Sequence, residues 1–182
     1  MRRFTEGFYG YAFAMLVCLA GVAVFLLVTP QSRTEHIPKI DFSIDVANMR
    51  RAAPYQVWSP DPVLPNWVPT SSRKTDGKSA DGKPTVTWKL GFATAKRAHA
   101  LLGQSDEKPQ AEFANRMANT DQAGGSIQIN GVTWEKRFRE DKNQRSLIRF
   151  LPDVTLVVTG TAQWDELSAL AGSLKQQTKL TP

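Results

Sequence analysis

The sequence predicts an α+β fold: an N-terminal transmembrane helix, then one domain whose antiparallel β-sheet, a meander, is covered on one face by helices. Three observations predict it. Residues 8–28, FYGYAFAMLVCLAGVAVFLLV, contain no charged side chain. SIQINGVTWEKRF (126–138) combines an Asn-Gly turn with apolar residues at every second position. TAQWDELSALAGSLKQQ (161–177) lines up Trp164, Leu167, Leu170, Ala171 and Leu174 as one helical stripe that needs a sheet face to cover.

Phe8 to Val28 is long enough to cross a hydrocarbon core of roughly 30 Å as a helix. A helix pairs its own backbone groups, as lipid requires. Pro30 stops it, and Tyr9 and Tyr11 sit where headgroups would be. Phe8, Tyr11, Leu16, Phe25 and Val28 are the expected lipid contacts. A cleaved signal is the rival reading, but signal apolar regions run only about 7–15 residues, and TPQSR (29–33) lacks a small-residue cleavage pattern. A lipoprotein signal fails because Val17 precedes Cys18. Arg2 and Arg3 nearly balance Arg33 and Lys39 across the span. The short basic leader then favours residues 1–7 in the cytoplasm, a linker over 29–44, and an extracytoplasmic domain over 45–182.

Cys18 is the only cysteine. The domain therefore has no disulfide and no thiolate nucleophile, and about 150 residues can fold on an apolar core alone. The formal net charge is +6. That permits attraction to anionic lipids, wall polymers or nucleic acid without requiring it.

Along the domain, Asp45 is expected to cap a short helix, VANMRRAA. Five prolines between Pro54 and Pro69 exclude regular helix and central strand. The apolar residues among them predict a rigid cover over the core. KTDGKSADGKP (74–84) reads as a polar loop with two Asp-Gly turns between the strands WVPTSSR and TVTWKLGF. Val86, Trp88, Leu90 and Phe92 alternate with polar or small residues. HALLGQS is a candidate further strand. PQAEFANRMAN predicts a helix with Pro109 in its first turn. At Asn130-Gly131 a type I′ turn sets Ile129 opposite Val132 and Ile127 opposite Trp134. Phe138 follows on that apolar face, with Gln128, Thr133, Glu135 and Arg137 on the other. RSLIRFL and VTLVVTG complete four consecutive strands. Thr161 is the expected cap of the final helix, and Lys175 suits its negative end.

The search for chemistry returns little. There is no G-x-S-x-G turn. His36 falls in the linker, and His99 lies beside Lys96 and Arg97. Zinc lacks ligands, and Asp76 and Asp81 lack the spacing of a calcium loop. Asp165-Glu166 and Glu140-Asp141 fit a helix start and a turn. No phosphate-cradling fingerprint is present, so no cofactor is expected. Two binding hints survive. Trp58 and Trp67 lie in the proline-rich cover, whereas Trp88, Trp134 and Trp164 fall on predicted core faces. Arg137, Arg139, Arg145 and Arg149, with Lys136 and Lys142, cluster around one hairpin and could meet anionic headgroups or an acidic patch.

RRAAPYQVWSPDPVLPNWVPTSSR (50–73), the Asn-Gly hairpin with its Trp, and VTLVVTGTAQWDELSALAGSL (154–174) resemble the actinobacterial family called domain of unknown function 4245. The carrying motifs are Ala-Pro-Tyr and Leu-Pro-x-Trp in the cover and Val-Thr-Gly-Thr-Ala at a strand end. The resemblance implies a membrane-anchored envelope protein; the family has no assigned activity, so no catalytic residue transfers. The expectation is a single-pass, non-catalytic binding module of the cell envelope, whose partner is a protein, a wall polymer or a lipid rather than nucleic acid. Its alternatives are an envelope hydrolase or transferase, or an accessory subunit packing through Gly10 and Ala14.

Overall fold

The alternation in the strands dictates a sheet with two distinct faces, and the helices determine how each face is used. The computed structural model describes residues 4–28 and 39–180. The chain divides into two units, residues 1–36 and 37–182.

The first unit contains α1 (Phe4–Val28). Side chains are described for residues 10–25, and all are exposed, Tyr11, Leu16 and Phe25 among them. Those of Phe8 and Val28 lie outside the described residues, as do residues 1–3 and 29–38. Among the described residues no helix is long and apolar enough to cross a membrane.

The second unit runs α2 (Ser43–Ala52), β1 (Trp58–Pro60), β2 (Val68–Lys78), β3 (Pro84–Ala93), β4 (His99–Ser105), α3 (Gln110–Ala118), β5 (Ser126–Ile129), β6 (Val132–Arg139), β7 (Gln144–Phe150), β8 (Thr155–Gly160), α4 (Trp164–Ser173) and β9 (Leu174–Gln176). The main sheet has the order β2-β3-β4-β8-β7-β6-β5. Every neighbouring pair is antiparallel. HALLGQS is therefore a strand, and a central one, joining two meanders through its pairing with β8. The Asn-Gly hairpin has the expected register, Ile129 opposite Val132 and Ile127 opposite Trp134. Asn130 and Gly131 have φ of 51° and 77°, the paired positive values a type I′ turn requires.

Helices cover both faces, not one. On the first face Trp88, Leu90, Phe92, Leu102, Trp134, Leu147, Leu156 and Val158 pack with Met49 of α2 and with Leu167, Leu170 and Ala171 of α4. On the second, Phe113, Ala114, Met117 and Ala118 of α3 pack on Ile148 and Val157. Topology explains the difference. With every neighbour antiparallel, β4 and β5 run the same way with β8, β7 and β6 between them. Their connection must cross a face of the sheet, and α3 is that crossover.

Phe138 keeps the Trp134 face and Arg137 the opposite one, but burial at both differs from expectation. Phe138, expected on the core face, is 45% exposed, whereas Arg137, expected toward solvent, is 5% exposed. Arg137 lies on the α3 face. Four local expectations also shift. Asp76-Gly77 lies inside the β2–β3 ladder, opposite Val86 and Thr85, so only Asp81-Gly82 turns. Asp45 sits in the first turn of α2, while Asp41 accepts from the Ser43 N–H at 2.9 Å. Pro109 is the residue before α3 rather than its first. Gln163, not Thr161, precedes α4, with its N–H bonded to Glu166 at 3.2 Å; the Thr161 hydroxyl accepts from the His99 N–H instead.

The proline-rich segment does cover the core, and its edge carries a short ladder. Trp58 to Pro60 pair with β9, so Leu174 and Lys175 are strand residues rather than the end of α4. Gln104, fully buried, secures the segment. Its Oε1 accepts from the Trp58 N–H at 2.9 Å and its Nε2 donates to the Trp58 carbonyl at 2.7 Å. The amide thus serves as one more strand partner. Ile40, in the stretch read as linker, donates its N–H to the Pro69 carbonyl at 3.0 Å.

Candidate functional site

The basic residues of the β6–β7 hairpin do not form one patch, because neighbouring positions on a strand point to opposite faces. Arg137 and Arg139 turn toward the end of α3. Arg137 donates to Glu135 at 2.6 Å, Asn115 at 2.6 Å and the Thr120 carbonyl at 2.9 Å. Arg139 pairs with Asp141 at 2.7 Å, which holds that carboxylate below its ordinary range, and also bonds the Asn119 carbonyl. Arg145 lies on the other face, over the Phe138 ring at 5.2 Å, and Lys136 lies over Trp164 at 4.2 Å. Arg149 is brought to Trp58, 5.1 Å from the ring centroid. Trp58 is half-buried, and among the described residues its buried indole nitrogen has no hydrogen-bond partner. Trp67 packs edge-on against Phe92 at 6.1 Å.

Arg137 thus works inside the fold. Arg137→Ala should destabilise the chain by about 2–3 kcal/mol, since it strands Glu135, Asn115 and the Thr120 carbonyl, with the half-exposed Glu135 recovering some hydration. Urea unfolding of the full chain checks this, and Arg137→Lys should recover only part of the loss because it lacks the planar fork.

Away from the hairpin, a cleft forms where the second sheet face continues past α3. β2 and β3 turn Thr75, Gly77, Thr85, Thr87 and Lys89 toward that face. With Lys78, Glu107, Phe113 and Arg116 they enclose a cleft of about 330 Å³. The floor is hydrogen-bonded: the Thr87 hydroxyl donates to Ser105 at 2.9 Å, and Ser105 accepts from the Glu107 N–H at 3.2 Å. Glu107, largely buried, receives both arms of the Arg116 fork. That bonding raises the Arg116 guanidinium still further above its ordinary value. Arg116 also lies 5.8 Å from the Phe113 ring centroid.

A second cleft, about 570 Å³, is lined by Ser71, Arg73, Lys89 and Leu101, together with Asp41 and Asp45. A third, about 310 Å³, is lined by Leu101, Arg116, His99 and Lys142. Partial desolvation lowers the His99 imidazole, favouring its neutral form. Among the described residues, no cluster of three or more His, Cys, Asp or Glu could hold a metal ion. The strand alternation TVTWKL had placed Thr85, Thr87 and Lys89 on the face away from the core. Nothing local indicated that Glu107 and Arg116 would stand opposite them.

A family model described as "Protein of unknown function (DUF4245)" matches residues 3–174. The chain belongs to this family. No curated protein and no solved structure matches it. In this DUF4245 chain the distinctive motifs serve the fold. Ala53-Pro54-Tyr55 delivers a buried tyrosine whose hydroxyl donates to the Gln104 carbonyl at 3.3 Å. Burial first, and the charge of Asp106 second, push that phenol far above its ordinary value. Leu64-Pro65-Asn66-Trp67 packs on the core. Val158 to Ala162 carries Gly160, where β8 passes closest to the β4 backbone.

Proposed function

We propose that this DUF4245 chain is a single-pass membrane protein of an actinobacterial cell envelope, whose extracytoplasmic domain is a non-catalytic binding module. Residues 8–28 span the bilayer, residues 1–7 lie in the cytoplasm, and the chain from residue 29 onward lies outside. The observation that carries this reading is the character of α1. It is apolar on every side, and Phe13, Leu16 and Leu19 are each more than half exposed within the chain's own structure. A helix apolar all round belongs in a core or in lipid. Moving each such side chain out of water is worth roughly 1.5–3 kcal/mol. Orientation follows from Arg2 and Arg3 in the short leader.

Binding without catalysis is supported by the groups that line the clefts: hydroxyls and cations predominate, the buried carboxylate Glu107 is held by Arg116, and Asp41 and Asp45 line the second cleft while His99 lines the third. Reporter fusions at the C-terminus test the topology. A reporter active only outside the cytoplasm should be active there, and activity of a cytosol-only reporter would overturn the orientation. Affinity purification from membranes, beside a control with an unrelated anchor, tests the binding role. The same partner should copurify with both forms; loss with the swapped anchor would make the helix itself the contact surface.

A further inference from the structure

We infer that the trough between β2, β3 and α3 binds an extended polyhydroxylated polyanion, the chemistry of an acidic wall polymer. The inference rests on the reading of the domain as an envelope binding module and names the site and ligand class. Its first ground is continuity. Lys89 lines the first and second clefts, Arg116 the first and third, and Leu101 the second and third. The three are therefore neighbours on the second sheet face, the first and third bordering α3 and the second bordering α2. Each is of small-molecule size, and joined they suit a chain better than a compact ligand.

Chemistry is the second ground. Thr75 offers an exposed hydroxyl that both donates and accepts, and the Thr87 hydroxyl, which donates to Ser105, keeps its acceptor capacity, as a polyol can use. Among the described residues, Arg73, Lys78 and Lys89 have no acidic partner within ion-pair distance. Arg116 is fixed by Glu107 yet 59% exposed at its side chain. Asp41 and Asp45 line the second cleft beside Arg73 and Lys89, whereas the first carries Lys78 and Lys89 with Arg116.

What the trough lacks separates this ligand from its rivals. The exposed large apolar residues of the domain, Ile44, Phe138 and Phe150, line none of the three clefts, so acyl chains find no seat. Single-stranded nucleic acid wants exposed aromatic faces, and the ring in the trough, Phe113, is 1% exposed.

The test is calorimetric titration of the full chain in phosphatidylcholine nanodiscs, free of detergent, with four probes: a poly(glycerol phosphate) oligomer, a polygalacturonate oligomer, neutral dextran, and phosphatidylglycerol vesicles. One or both polyanions should bind, with affinity falling as salt rises, and the two arms separate phosphodiester from carboxylate. Neutral dextran and the phosphatidylglycerol vesicles should not bind. The double variant K78E/K89E should weaken binding at least about tenfold, while K83E, outside the trough, should leave it unchanged. K78A/K89A, milder toward folding, should weaken it in the same direction, with near-UV circular dichroism confirming the fold. Equal affinity in wild type and both double variants would overturn the site. Binding to vesicles or dextran with neither polyanion bound would overturn the ligand class. Either result leaves topology and partner copurification to stand on their own measurements.

Discussion

Gly160→Ala should unfold the domain or cost it at least about 3 kcal/mol. Gly160 pairs with Ala100 where β4 meets β8, the junction of the two meanders. A Cβ there would lie 2.1 Å from the His99 carbonyl oxygen and 2.9 Å from its carbon. Both are backbone atoms in a central strand, so no rotamer relieves the clash. Relief requires separating β4 from β8, with loss of ladder bonds and of the packing of Leu102 against its neighbours. Gly103→Ala is the matched control. Its Cβ would meet Met117 Cε at 2.6 Å, the end of a flexible side chain that can move, and its cost should be about 1 kcal/mol. Chemical unfolding of the full chain should give a far lower midpoint for Gly160→Ala than for Gly103→Ala; equal midpoints would contradict the assigned close approach.

Trp88→Ala should cost about 4 kcal/mol. Trp88 is among the largest side chains that are fully buried. It sits in the first-face core, with its indole N–H donating to the Ser72 hydroxyl at 3.0 Å. Truncation removes the largest apolar surface in β3 and leaves a cavity beneath the proline-rich cover, which is too constrained to collapse into it. The half-buried Ser72 can turn to water, so the loss is chiefly one of packing. Trp88→Phe should therefore cost less than half as much, read from the same unfolding curves.

The contrast between local and distant determinants explains which parts of this fold were legible. Asn130-Gly131 and the alternation around it act over a few residues, and turn and pattern agreed on one register. The apolar stripe of α4 was equally local. The spacing of Phe113 and Met117 marked a buried helix face without telling which side of the sheet it would meet. That choice is made by the crossover from β4 to β5. Once α3 takes the second face, Arg137, which alternation had set away from the core, is enclosed, while Phe138 stays on the first face but half-exposed. The β1–β9 ladder was hidden for a similar reason: Trp58 to Pro60 and Leu174 to Gln176 are far apart in sequence, and neither resembles a strand alone. The trough was half visible. Thr85, Thr87 and Lys89 announced a polar face; Arg116 carried no signal of its own, and only their apposition makes a concave surface.

Anchoring is the claim on which the proposed role depends. Carbonate extraction of membranes, followed by intact mass measurement of the protein retained, tests it directly. The predicted result is retention in the membrane fraction at a mass that includes the apolar run through Val28. A mature chain beginning after Thr29, or one released by carbonate, would contradict it.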